Sequence, residues 1–181
     1  MVQGRGINSS LNEVGKVQAQ KVVQYFLDKS IDQIYCSTLV RTTETVQNLN
    51  LPIHCLEGFD EISWGSQEGV VPDKESLSLY WDTLELWKNG QLDQSVGGGE
   101  SPLEVMVRQK VAMNQVMSDD HKTVLICMHG RAMRILISWL LNYPLEYMDG
   151  FEHRNCAIYK LHFTGVSFRL AAYNYSGHLG N

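Results

Sequence analysis

The chain of 181 residues is predicted to form an α/β fold, a three-layer sandwich with a mainly parallel sheet. Two observations predict this class. Short apolar runs typical of buried strands alternate with longer segments of helical periodicity. The length is that of one domain, large enough to bury a core without disulfides or metal ions. We therefore expect a single domain over residues 1–181.

The first half of the chain predicts three helices and two strands. Asn12 can cap the first helix, because its side chain can accept a hydrogen bond from a free amide of the first turn. Pro52 and Gly90 can close the second and third helices. The helices are expected over residues 12–27, 39–49 and 75–89, and the strands over residues 31–36 and 53–56.

The second half begins at the clear break Gly97-Gly98-Gly99. Three glycines reach only about 10 Å, so we interpret them as an internal loop and not as a domain linker. Ser101 as N-cap and Pro102 at the first helical position then begin a helix. Helices are expected over residues 102–116 and 132–140, and strands over residues 123–127, 156–163 and 166–172.

Composition excludes several classes of function. Fifteen Lys and Arg stand against twenty Asp and Glu, a net charge of −5 without a basic block, so neither nucleic acid nor a membrane surface is an expected partner. The four cysteines lie in four separate apolar segments without metal-site spacing, which favours buried, reduced thiols and a cytoplasmic location. We expect neither a targeting leader nor a membrane span, since no stretch approaches roughly 20 apolar residues.

Met128-His129-Gly130 is the most informative segment, because it joins a predicted strand to a predicted helix. A histidine at such a junction lies beside the free amides and positive dipole end of the helix, where α/β proteins bind phosphate. The alternative is a structural histidine, since strand-glycine-helix junctions occur in every fold of this class. The other segments of the chain are needed to distinguish a phosphate-binding histidine from a structural one.

Three other segments carry polar groups at similar places. Arg41 follows a strand at the start of a helix, where its guanidinium could hold an anion. The loop over residues 59–69 contains Asp60, Glu61 and Glu68, which are either surface acids or, if buried near a cation, a general acid. Ser101 is explained by helix capping alone.

Seven motifs together resemble the histidine phosphatase superfamily, in its phosphoglycerate-mutase-like branch. They occur in the family's order and span almost the whole chain. They are Leu11-x-x-x-Gly15-x-x-Gln18-Ala19, Ser37-x-Leu39-x-Arg41-x-x-x-Thr45, Glu61-x-x-x-Gly65-x-x-Glu68-Gly69, Gly99-Glu100-Ser101, His129-Gly130, Asn155 and His178-Leu179.

The resemblance implies a phosphate monoester as substrate and a phosphohistidine intermediate, with no metal ion or other cofactor. It implies that Arg41 binds phosphoryl oxygens, that Glu61 donates a proton to the leaving alkoxide and that His129 stabilises the transferring group. Gly130 belongs to the same phosphate-binding turn, and Arg5 could bring a second guanidinium to the pocket. These roles agree with the physics of phosphoryl transfer, which depends on positioning and charge stabilisation.

One element of the family pattern is not found in residues 1–181. The nucleophilic histidine of the family lies in an Arg-His-Gly motif at the end of a first strand, ahead of the segment that begins here at Val2. Two hypotheses follow: a phosphatase represented by a shortened, inactive or weakly active chain, which we favour, or an inactive phosphate-binding or regulatory protein. Within the enzyme class, only 39 positions separate Glu61 from Glu100, which favours hydrolysis over the alternative, a phosphoglycerate mutase.

The missing first strand has a structural consequence. It leaves two unpaired edges in the sheet, and buried unpaired amides cost about 1 to 3 kcal/mol each. We therefore expect the neighbouring strands to close up or a second copy of the protein to cover the gap, the latter as a homodimer.

Overall fold

The computed structural model describes residues 2–180, in which five α-helices and five strands are connected by short loops and 3₁₀ turns. Every predicted element is present, with ends shifted by a few residues. The elements are α1 (Glu13–Phe26), β1 (Gln33–Cys36), α2 (Val40–Val46), β2 (Ile53–Cys55), α3 (Lys74–Lys88), α4 (Pro102–Ser118), β3 (Val124–Cys127), α5 (Gly130–Leu140), β4 (Ile158–Phe163) and β5 (Phe168–Tyr175).

Three parallel strands form the main sheet, in the order β2-β1-β3. The central strand β1 is buried along its whole length, as expected for a strand covered on both faces. Its register places Cys36 beside both Cys55 and Cys127, so the carboxyl ends of the three strands lie level. β4 and β5 form a separate antiparallel hairpin. The predicted α/β class with a parallel sheet is confirmed.

Helices cover both faces of the main sheet. On one face Ile34 and Cys36 pack against Val22 of α1 and Val46 of α2. On the other face Tyr35 packs against side chains of α4 and α5, among them Ala112, Met113 and Leu136. Successive side chains of β1 point to opposite faces of the sheet, so this four-residue strand contributes to two core layers.

The glycines at 97–99 form part of an internal loop that packs against the segment after Glu61. Gly65, at a φ of +56°, lies so close to Gly97 that an added Cβ would stand 2.1 Å from the Gly97 carbonyl oxygen. Glu100 N donates to the carbonyl of Ser63 at 2.8 Å. Glycine is required at Gly65 both for its backbone conformation and for this close approach.

We expected the strands on either side of a predicted gap to close up, and this part of the expectation was wrong. In residues 2–180, β3 pairs with β1 alone and β4 with β5 alone, and a slot of about 820 Å³ separates β3 from the hairpin. The hairpin is held away because Tyr173 Oη donates to Gly150 O at 2.8 Å and because Leu161 packs on the α4–α5 core. Coverage by a second copy stays a prediction.

Within residues 2–180, no helix is both long enough and apolar enough to cross a membrane. The four cysteines are free thiols, but the expected burial holds only for Cys36, since Cys127 and Cys156 are half-buried and Cys55 is exposed at the end of the short edge strand β2.

The start of α4 offers a test of helix capping. Ser101 Oγ accepts from Glu104 N at 3.3 Å, and the Glu104 carboxylate accepts from Ser101 N at 2.8 Å. We expect Ser101→Ala to lower the free energy of unfolding by about 1 kcal/mol, because free amides of the first turn lose their partner. Urea unfolding measures this free energy. The control Ser78→Ala, on the exposed face of α3, should change the free energy of unfolding by less than about 0.5 kcal/mol. Equal effects of the two changes would contradict this role.

Candidate active site

The carboxyl ends of β1 and β3 bring two distant segments together. Ser37 follows β1 and His129 follows β3, and the level register of the two strands places these residues side by side. His129 is the N-cap of α5, with only 8% of its surface exposed. The predicted strand-to-helix junction at His129-Gly130 is therefore present, and it opens into the slot beside β3.

Both ring nitrogens of His129 are hydrogen-bonded. Arg41 Nε donates to Nδ1 at 3.3 Å, and Nε2 lies 2.7 Å from Ser37 Oγ. Since the guanidinium can only donate, Nδ1 is the acceptor and the ring proton belongs on Nε2. Ser37 Oγ then accepts from Nε2 and from Leu39 N, and its hydroxyl can donate to Thr42 Oγ1, 3.3 Å away. This chain of hydrogen bonds holds the imidazole ring in one orientation and tautomer.

The charge state of His129 follows from its surroundings. Burial lowers the pKa of His129 to about 3, and the neighbouring positive charge of Arg41 acts in the same direction. The imidazole is therefore neutral at physiological pH. A bound dianion would oppose both effects, because negative charge beside the ring favours its protonated form.

Arg41 lies at the start of α2 and reaches across to the amino-terminal segment. Nη1 donates to the carbonyl of Ile7 at 2.6 Å and Nη2 to that of Gly4 at 3.4 Å. Burial lowers the pKa of Arg41, while the carboxylates of Glu61 and nearby acids raise it. With its guanidinium half-buried between two carbonyls and His129, Arg41 is a pre-positioned cation that lines the pocket.

Glu61 is the buried carboxyl group of the site. Oε1 accepts from Ile62 N at 2.9 Å and from Ala132 N at 2.8 Å, and Oε2 accepts from Arg131 N at 3.1 Å. Burial raises the pKa of Glu61, and these three hydrogen bonds oppose the shift. The amides of Arg131 and Ala132 at the start of α5, which the sequence suggested were free for an anion, are therefore occupied by this carboxylate.

Arg108 of α4 holds the segment that carries Glu61, and sequence reasoning missed it. Its guanidinium donates to both carboxylate oxygens of Glu100, at 2.8 and 3.0 Å. It also donates to main-chain carbonyls of the Glu61 segment, at 3.0 to 3.1 Å. The carbonyls belong to Glu57, Gly58, Asp60 and Glu61. Nothing in the sequence distinguishes Arg108 from a surface residue of a helix.

The structure places Arg5 differently from the sequence expectation. Its guanidinium lies 3.1 Å from Asp60, 2.8 Å from Glu57 and 3.8 Å from Glu100, and it does not line the pocket. Asp60 in turn accepts from Thr38 N at 2.7 Å. In this arrangement Arg5 Nε and Nη2 donate to acidic groups away from the pocket.

Gly130 and His153 also line the pocket. Gly130 is the first residue of α5, and an added Cβ there would stand 3.0 Å from the His153 ring. Burial lowers the pKa of His153, and the charge of Arg134 acts in the same direction. In the described part of the chain, His129 and His153 are the histidines that line the pocket. No signal in the sequence singled out His153.

The other histidines lie elsewhere. His54, His121 and His162 are exposed, and His178 packs against the rings of Tyr25 and Tyr175. Among residues 2–180, no group of three or more His, Cys, Asp or Glu side chains is arranged to hold a metal ion.

Comparison with known proteins places these residues in a wider context. The sequence profile of the histidine phosphatase superfamily (branch 1) matches residues 1–176. A probable phosphoglycerate mutase GpmB of Erwinia tasmaniensis is 29% identical over 162 residues, which cover 87% of this chain and 74% of that protein. A putative phosphoserine phosphatase 2 of Hydrogenobacter thermophilus is 26% identical over 183 residues, which cover 95% and 86%.

Solved structures share the fold. A mycobacterial glucosyl-3-phosphoglycerate phosphatase in complex with VO3 has a TM-score of 0.85 at 20% identity, covering 97% of this chain and 90% of that one. YhfR of Bacillus stearothermophilus has a TM-score of 0.84 at 23% identity, covering 98% and 90%. At these identities the likeness concerns the fold alone.

The low pKa of His129 predicts a pH-dependent stability. The unfolded chain binds a proton on this histidine near pH 6.5, whereas the folded chain does so only near pH 3. Stability present above pH 6.5 is therefore lost as the pH falls towards 3, by up to about 1.4 kcal/mol per pH unit. In urea unfolding between about pH 4 and pH 7, His129→Gln should lose stability less steeply than the original chain.

His162→Gln is the control, because it removes an exposed histidine of β4. This substitution should leave the slope of unfolding free energy against pH unchanged. An unchanged slope in His129→Gln would show that the His129 ring is not held neutral by its site.

Proposed function

Because the chain belongs to the histidine phosphatase superfamily, we propose that it is a phosphate monoester hydrolase acting through a phosphohistidine. The observation that carries the proposal is the contact between Arg41 and His129, 88 positions apart in sequence and joined at the carboxyl edge of the sheet. Such a pair can bind a phosphate dianion, because a guanidinium offers several parallel donors to phosphoryl oxygens. The substrate class is a small phosphate monoester.

Binding would rearrange the donors of this pair. A phosphoryl oxygen would take the Arg41 Nε–H that now points at His129 Nδ1. The dianion would also raise the proton affinity of the imidazole, so that a protonated His129 could donate to the transferring group. Ser37 keeps the ring in place during this change, because its contact is with the other nitrogen.

Glu61 suits the role of proton donor. Its burial raises the pKa of the carboxyl group, which shifts it in the direction that a proton donor requires. In the proposed reaction a histidine nitrogen bonds to phosphorus, the phosphorus–oxygen ester bond breaks and Glu61 gives its proton to the leaving oxygen. Water then hydrolyses the phosphohistidine.

The nucleophile is the part of the reaction that residues 1–181 do not supply in the family's form. No Arg-His-Gly motif occurs in the chain, and His129 and His153 are the pocket histidines of its described part. We place the nucleophile on polypeptide outside residues 1–181, so that this chain alone is inactive or weakly active. The second candidate function, binding of a phosphorylated ligand without turnover, has the same observation in its favour.

Hydrolysis is favoured over a mutase reaction, although relatives carry both names. Only 39 positions separate Glu61 from Glu100, and α3 is the single long element between them. Because this segment is short, it leaves a phosphohistidine intermediate accessible to water, which favours hydrolysis. The free thiols support a reducing compartment, and we propose the cytoplasm.

Phosphate binding tests the Arg41–His129 pair without requiring turnover. Arg41→Ala should weaken binding of inorganic phosphate at least tenfold, because charge-assisted hydrogen bonds contribute about 1.5 to 3 kcal/mol. Phosphorus NMR titration or calorimetry measures the affinity for phosphate. Arg169→Ala, an exposed arginine of β5, is the matched control and should leave the affinity unchanged. If both variants bind phosphate as tightly as the original chain, the pocket is not the phosphate site.

Hydrolysis of p-nitrophenyl phosphate tests the location of the nucleophile. The purified chain 1–181 should hydrolyse it no faster than Arg41→Ala, because the covalent step has no acceptor. A version extended at its amino end by a strand with an Arg-His-Gly motif should be active and form an acid-labile phosphohistidine. Robust hydrolysis by chain 1–181, with label on His129 or His153, would instead place the nucleophile within it.

A further inference from the structure

The four cysteines of the chain are far apart in sequence but meet at one place in the fold. Cys55, Cys36 and Cys127 are register partners at the carboxyl ends of β2, β1 and β3, so they form one row across the main sheet. Cys156, in the loop before β4, packs in the same core cluster as Cys36 and Cys127. Among residues 2–180 these thiols are not arranged to hold a metal ion, and the phosphate chemistry uses none of them.

Cys36 and Cys127 occupy equivalent positions on adjacent parallel strands. Side chains in register on neighbouring strands point to the same face of the sheet, and both thiols belong to the core beneath α1 and α2. Neighbouring strands lie about 4.8 Å apart, within the range of about 4.4 to 6.8 Å that separates the Cα atoms of disulfide-bonded cysteines. The backbone therefore holds the two cysteines at a separation that a disulfide can span.

The two thiols differ in exposure and in acidity. Cys36 is fully buried, whereas Cys127 is half-buried, so a small oxidant reaches Cys127 first. Contact with the Cys127 thiol lowers the pKa of Cys36, and the hydroxyls of Thr42 and Thr43 act in the same direction. Contact with Cys36 and burial raise the pKa of Cys127, so its oxidation requires an excess of oxidant. Cys36 is the more acidic thiol, which suits it to attack an oxidised Cys127.

We propose that Cys36 and Cys127 are an oxidation site, in which peroxide converts the two thiols into a reversible disulfide. Hydrogen peroxide first oxidises the Cys127 thiol to a sulfenic acid and releases one water. The Cys36 sulfur then attacks the sulfenic sulfur. The sulfur–sulfur bond forms, and the sulfenic hydroxyl group leaves with the Cys36 proton as a second water. Two thiols and one peroxide thus give one disulfide and two waters.

The position of this pair connects its oxidation to the proposed phosphate pocket. Cys36 directly precedes Ser37, whose Oγ lies 2.7 Å from His129 Nε2. Ser37 N donates to the carbonyl of Cys127 at 3.2 Å. A disulfide draws the two Cβ atoms to about 3.8 Å, closer than the strand spacing, so the ends of β1 and β3 must shift. We expect this shift to disturb the contact between Ser37 and His129. This consequence rests on the proposed function, whereas formation of the disulfide does not.

Two other pairings compete with the proposed one. Cys55 is also in register with Cys36, but it is exposed on the edge strand, and its Sγ lies 3.8 Å from Thr43 Oγ1. Cys156 belongs to the segment before the separate hairpin, so strand register does not hold it beside Cys127. Only the pair of Cys36 and Cys127 combines strand register with a shared position in the core.

Oxidation of the purified, reduced chain 1–181 tests the pairing. The folded chain is treated with excess hydrogen peroxide, the remaining thiols are alkylated, and the products are identified by mass spectrometry of proteolytic peptides. The main product should join the peptides of Cys36 and Cys127 and lack the mass of two hydrogens. Dithiothreitol should restore both thiols. The same treatment in urea should give a mixture of pairings, because strand register no longer selects one.

Two serine variants provide a matched comparison, since both remove a register partner of Cys36. Cys127→Ser should abolish the main product, and Cys55→Ser should leave it in place. In the original chain the disulfide should weaken binding of inorganic phosphate at least threefold, as the loss of one neutral hydrogen bond would do. Dithiothreitol should restore that affinity.

Four results would overturn the proposal. The first is a main product that contains Cys55 or Cys156, and the second is the same distribution of pairings with and without urea. The third is a disulfide of Cys36 and Cys127 that leaves the phosphate affinity unchanged. The fourth is a folded chain in which peroxide forms no disulfide. A reduced chain that does not bind phosphate would instead contradict the proposed function, and the peptide masses would still decide whether the oxidation site exists.

Discussion

The parallel pairing of β1 with β3 determines where the chemistry of this protein lies. The two strands are short, four residues each, and their register brings Ser37 level with the residues that lead into α5. A slip of one residue would turn each apolar side chain to the opposite face and separate Ser37 from His129. The register is maintained because both layers of helices require a specific set of β1 side chains, with Ile34 on one face and Tyr35 on the other.

The Glu61 carboxyl group is buried in the site. Burying a charge is unfavourable unless hydrogen bonds compensate, and here three backbone amides do so. Two of them belong to the first turn of α5, so the helix stabilises a protein carboxylate in place of an external anion. As a consequence, the end of α5 is occupied by an acidic side chain, and Arg41 is the cation that lines the pocket.

The support behind Glu61 shows how a distant helix contributes to the site. Arg108 binds Glu100 and four carbonyls of the segment before and at Glu61, so it joins α4, the glycine loop and the acid loop through one guanidinium. Such a planar, permanently charged group can satisfy several acceptors at once, which lysine cannot do. The slot beside β3 contrasts with this network, because there the backbone acceptors and donors face a space without a partner in the described chain.

Local patterns were sufficient to determine the element order, the capping of α1 by Asn12 and of α4 by Ser101, and the strand-to-helix junction at His129, because each depends on a few neighbouring residues. The family motifs further indicated Arg41, Glu61 and His129 as candidate site residues. Only the tertiary structure decided what these groups contact. It gave the amides of α5 to Glu61, directed Arg5 onto Asp60 and Glu57, and brought His153 against Gly130. It also kept β3 and β4 apart. These outcomes depend on competition between partners distant in sequence, for which the local periodicity of a chain carries no information.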